Sequence, residues 1–174
     1  MSIAVAVPLD DVASARIAAV WERLARRGIS DSMPRLGYRP HVTLAVFDAL
    51  DEAAAGTALA AIAATQQPWS SALAGLGAFE APRSVLWARP AVDASLASLQ
   101  AKVVASLASP CHPHYRPDAW VPHCTLADGL SSVSLAHARE LVADADVAGS
   151  VRYASLELVR FPPVDVRARW SFAC

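Results

Sequence analysis

The chain has one lysine, Lys102, among its 15 basic residues, and these face 16 acidic ones for a net charge of −1. There is therefore no basic field able to hold long duplex nucleic acid by counterion release. Any nucleic-acid partner is expected to be short or gripped only at its end. Cysteines number three, Cys111, Cys124 and Cys174, at no metal-finger spacing, which argues for free thiols in a reducing compartment. No apolar run approaches the ~20 residues of a membrane helix, and the opening Met1-Ser2-Ile3-Ala4-Val5 lacks a positive leader region. These absences point to a cytoplasmic protein, monomeric, without membrane contact. With 174 residues, of which 55% are hydrophobic, the length suits a single bilobal domain over 1–174 and is too short for two independent ones.

Threonine is scarce too, and the scarcity is informative. Only four occur, and two of them stand two places after a histidine. Residues 41–44 read His-Val-Thr-Leu and residues 123–126 read His-Cys-Thr-Leu, each between a proline (Pro40, Pro122) and an alanine (Ala45, Ala127). Successive side chains of a strand point to opposite faces. His41, Thr43 and Ala45 should then line one face, with Val42, Leu44 and Val46 on the other, and the second tetrad should follow the same phase. Each histidine and its threonine would lie about 7 Å apart along the strand, a span a phosphate can bridge.

The motifs are 82 residues apart (123 − 41 = 82), and the same offset relates Pro8 to Pro90, Asp11 to Asp93, Tyr38 to Trp120, Leu76 to Leu158 and Phe79 to Phe161. The chain reads as two copies of one unit, with halves of roughly 1–82 and 83–174. In the first copy a strand at Ile3, Val5 and Val7 precedes a helix from about Val12 to Arg26, which Asp10-Asp11 caps and Gly28 ends. A loop over 29–40 then leads to the first motif strand. A helix from about Glu52 to Thr65 and two antiparallel strands, Trp69 to Phe79 and Ser84 to Arg89, are joined at Glu80-Ala81-Pro82-Arg83. The second copy places an Asp93-capped helix, a proline-rich loop over 109–118, the second motif strand and a Ser134-capped helix. Strands near Val151 to Phe161 and Val166 to Ala173 close it. Each copy reads β-α-β-α-β-β. The expected fold is α+β, with antiparallel-rich sheets lining a central cleft and helices outside.

Two Pro-His-x-Thr-Leu motifs about eighty residues apart, in this strand and helix order, resemble the 2H phosphoesterase superfamily. The branch most similar is the 2′-5′ RNA ligase and RNA 2′,3′-cyclic phosphodiesterase group. The Ser-Val-Leu-Trp segment at 84–87 is also similar to the one those proteins place between their motifs, whereas Val46-Phe47-Asp48 stands where they carry Leu-Gly. The resemblance implies hydrolysis of a small-molecule cyclic phosphate or a short RNA end, with reversible 2′-5′ ligation as a companion activity and no cofactor or metal. His41 and His123 would be acid and base, in an order the near-symmetry of the motifs leaves open. Thr43 and Thr125 would donate to the phosphate oxygens.

Chemistry agrees, since an imidazole titrating near 6.5 can give or take a proton at neutral pH. Arg39, two residues before His41, is a candidate phosphate ligand. Tyr38, Trp120, Tyr115 and Arg116 are candidates for a wall that stacks on a base, against a plain packing role for Tyr38 and Trp120. His112 and His114 suggest a metal pair but lack carboxylates at ligand spacing. His137 reads as a surface histidine and Cys124 as a buried structural thiol. Two other functions compete with the hydrolase: a non-catalytic module that binds a phosphate end or cyclic nucleotide, and a divalent-metal hydrolase built on His41, His123, His112 and His114.

Overall fold

The structure, a computed structural model, describes residues 1–80 and 83–173. Along the first half come β1 (Ser2–Pro8), α1 (Asp11–Arg26), α2 (Ser32–Leu36), β2 (His41–Phe47), α3 (Glu52–Thr65) and β3 (Trp69–Phe79). The second half supplies β4 (Ser84–Pro90), α4 (Ala94–Ser106), β5 (Cys124–Leu130), α5 (Ser132–Leu141), α6 (Asp144–Val147), β6 (Gly149–Tyr153), β7 (Ser155–Phe161) and β8 (Asp165–Ser171). The fold is α+β, with every pairing antiparallel in two four-stranded sheets ordered β2-β1-β7-β8 and β5-β4-β3-β6.

Local chemistry explains most boundaries. Asp10 caps α1, its carboxylate accepting from the amides of Val12 at 2.9 Å and Ala13 at 3.0 Å. Ala13, Ile17, Val20, Trp21 and Leu24 form the buried stripe of that helix. Gly28, at φ 66°, takes the left-handed position that ends it. Asp51 and Asp93 cap α3 and α4 in the same way. Ile3, Val5 and Val7 are buried within one core with Leu44, Phe47, Leu99 and Leu126, each such side chain worth about 1.5–3 kcal/mol of burial.

Five expectations need correction. The loop over 29–40 contains α2, set by Asp31 before it and by Gly37 in the left-handed region after it. The fifth helix is capped by Ser131, whose hydroxyl accepts from the Ser134 amide at 3.0 Å, so it begins three residues earlier than a Ser134 cap implies. The apolar stretch from Val151 to Phe161 is two strands, broken at Ala154: β6 pairs with β3 and β7 with β1. Both fall in one buried core, so hydropathy alone carries no mark of the break.

The sheets are also not the sequential halves 1–82 and 83–174. β3 crosses to join β4, β5 and β6, because its sequence neighbour β4 pairs with it directly, and β7 with β8 returns to β1 and β2. Helices cross too: α1 packs on β5 and β6, and α4 packs on β2. Lastly, the facing of the motif strands changes partway along. A β-bulge opposite Val5 and Ala6 leaves Leu44 and Ala45 both buried and turns Val46 over. Leu126 and Ala127 repeat the device opposite Leu86 and Trp87. The expected turn at Glu80-Ala81-Pro82-Arg83 includes residues outside those described, as does Cys174.

Candidate active site

The two motifs meet in one cleft of about 350 Å³, lined by His41 and Thr43 from β2 and by His123 and Thr125 at the head of β5. Remote in sequence, the strands are brought together because each motif strand forms the edge of its own sheet and the two edges pack against each other. Val46 and Asp128, turned over by the bulges, extend the cleft beyond each threonine, while Ala45 does not reach it.

Both rings are fixed the same way. His41 Nδ1–H donates to the Arg39 carbonyl at 2.8 Å, and His123 Nδ1–H donates to the Val121 carbonyl at 2.8 Å. A carbonyl only accepts, so Nδ1 must carry the proton and Nε2 is the basic atom of each neutral ring. Burial favours that neutral form. It pulls His41 down to about 4, helped by the nearby His123 and opposed by the Arg39 carbonyl. His123 is lowered by burial as well, against the pull of the Val121 carbonyl.

The threonine backbones are braced by indoles from the opposite half of the chain. Trp120 Nε1–H donates to the Thr43 carbonyl at 3.0 Å, and Trp21 Nε1–H donates to the Thr125 carbonyl at 3.0 Å. Trp120 is thus a packing brace off the cleft wall, and the stacking role expected of it is corrected accordingly. Arg39 does not line the cleft either. Its guanidinium turns toward the start of α1, donating to the Leu9 carbonyl at 2.8 Å and pairing with Asp11 at 3.1 Å. Arg116 is exposed outside the cleft. Tyr38 and Tyr115 do line it.

Tyr38 is part of an arrangement that sequence reasoning missed. Its ring lies 4.4 Å from that of His41, and its hydroxyl donates to Glu157, a fully buried carboxylate whose other oxygen takes the Arg169 guanidinium. Burial first and the Glu157 hydrogen bond second push the phenol up, so it stays a donor. Register explains the meeting: Thr43, Ala6, Glu157 and Arg169 are neighbours straight across four strands. The signal was available, since one glutamate between Leu156 and Leu158 in an apolar strand must find a partner.

The corresponding row of the second sheet is Thr125, Trp87 and Gly77. His123 there meets Phe79 edge-on at 5.1 Å and Trp87 at 6.2 Å. Gly77 makes room for the indole, because a Cβ on it would stand 2.2 Å from the Trp87 ring. Elsewhere, Cys124 is fully buried with its thiol pushed up to about 12 by burial, and His137 is exposed on α5. His112 and His114 lie 5.2 Å apart between ring centres. Among the described residues no three His, Cys, Asp or Glu side chains gather as a metal site, and no helix is long and apolar enough to cross a membrane.

Comparison with known proteins agrees with this architecture. The chain is similar to LigT of E. coli in its apo form, with 16% identity, a TM-score of 0.66, and 99% of this chain and 98% of that one covered. It is similar to TT0787 of Thermus thermophilus at 18% identity and a TM-score of 0.62, over 99% and 98% of the two chains. A third likeness is to Usb1 of Kluyveromyces marxianus, at 14% identity and a TM-score of 0.52, covering 98% of each. At such identities these likenesses speak for the fold. No curated protein matches the chain. The sequence profile of the 2′-5′ RNA ligase superfamily matches residues 9–163, nearly the whole chain including both histidine motifs, and the chain therefore belongs to that superfamily, within the 2H phosphoesterases.

Proposed function

We propose that this protein is a metal-independent phosphodiesterase that opens 2′,3′-cyclic phosphates on nucleotides or short RNA ends, working as a monomer without a cofactor. The observation that carries the reading is the pair of carbonyl-anchored imidazoles, each with its threonine, lining one cleft. Support also comes from the superfamily, and from E. coli LigT, which has been crystallised with phosphate and with 3′-AMP.

The phosphate sits between the histidines with its non-bridging oxygens on the Thr43 and Thr125 hydroxyls, which stabilise charge as it builds. His41 is the base. Held down to about 4 by burial, it is neutral throughout the neutral pH range, and its bare Nε2 takes a proton from water. The water oxygen bonds to phosphorus as the bond to one ribose oxygen breaks on the far side. His123, protonated at Nε2, gives its proton to that leaving oxygen. With a ribose 5′-hydroxyl in place of water the same transfers join that hydroxyl to the cyclic phosphate as one ribose oxygen leaves, which is the ligase reaction.

The test is to incubate the protein with 2′,3′-cyclic nucleotides in excess chelator and resolve the 2′- and 3′-monophosphates by chromatography. Turnover that survives chelation and is lost in His41→Ala and His123→Ala supports the reading. Binding without product, or near-native turnover in either variant, overturns it.

A further inference from the structure

The cleft is symmetric at its centre and unlike at its ends. Val46 and Asp128 are repeat partners (128 − 46 = 82), and each is brought to the cleft by its bulge, three residues past its threonine. One end is therefore apolar and the other carries a carboxylate. Among the described residues the lining holds no lysine or arginine, and Asp128 is its single acidic side chain. Met33, Leu36 and Val85 line the same cleft as apolar surface.

Asp128 is held in place from two directions. Its amide donates to Ser32 Oγ at 3.0 Å, and its Oδ2 accepts from Arg83 Nη2 at 3.2 Å. No described residue donates to Oδ1. The Asp128 side chain is 41% exposed, and with Oδ2 engaged by Arg83 its Oδ1 is left as an acceptor, a poor neighbour for a carbonyl and a good one for an N–H group. Because the bulge takes up one residue, Asp128 stands about 7 Å along the strand from Thr125, a span that a base extending from a ribose phosphate covers.

Resting on the reading of the cleft as a 2′,3′-cyclic phosphate site, we propose that Asp128 selects the base, accepting a hydrogen bond from an exocyclic amino group. Cytosine offers its N4 amino group where uracil presents O4, an acceptor that a carboxylate repels. Amino-bearing bases are therefore preferred, and the pyrimidine pair isolates the effect because the two are otherwise nearly the same shape.

Two ratios test this. The first is kcat/KM for 2′,3′-cyclic CMP over 2′,3′-cyclic UMP, and the second is the affinity for 3′-CMP over 3′-UMP by calorimetry. Each is measured in the wild type, Asp128→Asn and Asp128→Ala. A ratio cancels any loss of folded protein within one preparation. Wild type is expected to favour cytosine by about tenfold, Asp128→Ala to bring both ratios near one, and Asp128→Asn to lower them, since an amide can donate to O4. Equal affinities in the wild type, binding of neither nucleotide, or a preference that survives Asp128→Ala overturns the assignment. An intact affinity ratio without turnover of either cyclic substrate supports the base selection and overturns the hydrolase reading instead.

Discussion

His41 and His123 make the same backbone hydrogen bond and line the same cleft, yet they stand in different company. His41 rests on a phenol whose hydroxyl is committed to a buried carboxylate, and that carboxylate is held in turn by Arg169 from the last strand. His123 rests on Phe79 and Trp87, with no charged group in that row. The repeat thus keeps the geometry while the sheet behind it differentiates the two rings. A polar row leaves the first ring beside fixed charge, and an aromatic row leaves the second beside polarisable hydrocarbon.

The largest expected effect treats the rings as equals. Replacing either histidine by alanine should lower kcat for a 2′,3′-cyclic nucleotide by about 10²–10⁴-fold, with far-ultraviolet circular dichroism unchanged. Near-native turnover in one variant would show that the other ring carries the reaction alone. The next effect separates them. Folded His41 takes up its proton only near about 4, against 6.5 for the free side chain, so the unfolded chain binds more protons between those values. Stability is then fullest above pH 6.5 and falls as pH drops toward 4, by about 3 kcal/mol for this group. Urea unfolding at pH 7 and pH 4.5 should show the loss, and His41→Gln should shrink it. Because His123 is also lowered, kcat/KM should begin to decline with rising pH already on the acid side of the usual imidazole value, where a general acid at this position loses its proton.

The rows behind the rings give two smaller effects. Gly77→Ala forces its methyl into the Trp87 indole and should cost about 1–3 kcal/mol. The small residue in the first sheet's row, Ala6, already carries its methyl packed with Tyr38 and Val159, so Ala6→Gly removes a contact without a clash and should cost nearer 1 kcal/mol. Equal thermal shifts for the two variants would erase the distinction between the rows. Of comparable size, Tyr38→Phe keeps the ring on His41 but removes the hydrogen bond to Glu157. It should lower stability by about 1–2 kcal/mol and change kcat/KM only a few-fold. A hundredfold loss of activity would place the phenol among the groups that touch substrate.

The site was more legible than the scaffold for a physical reason. A histidine two residues before a threonine in an extended strand shares its face by local geometry alone, so both pairs could be read from the tetrads. The capping aspartates Asp10 and Asp93 were equally local. Nonlocal pairing was not legible. Nothing in Leu44-Ala45 announces that the strand bulges there, and that bulge decides that Val46 and Asp128 face the cleft. Nor does hydropathy distinguish β6 from β7, since both are buried in the core on either side of Ala154. Trp120 was noticed as the repeat partner of Tyr38, but its indole answers the Thr43 carbonyl and Tyr38 answers Glu157. Equivalent positions had taken up different partners.

The crossing of β3 and β7 between sheets has a further consequence. A chain divided near its middle yields two fragments, neither of which can complete its own sheet, because each holds a strand that the other requires. Mixed, they should recombine like the pieces of a split reporter. The cleft between the two histidine motifs then has no existence in either piece alone and comes into being only at their union.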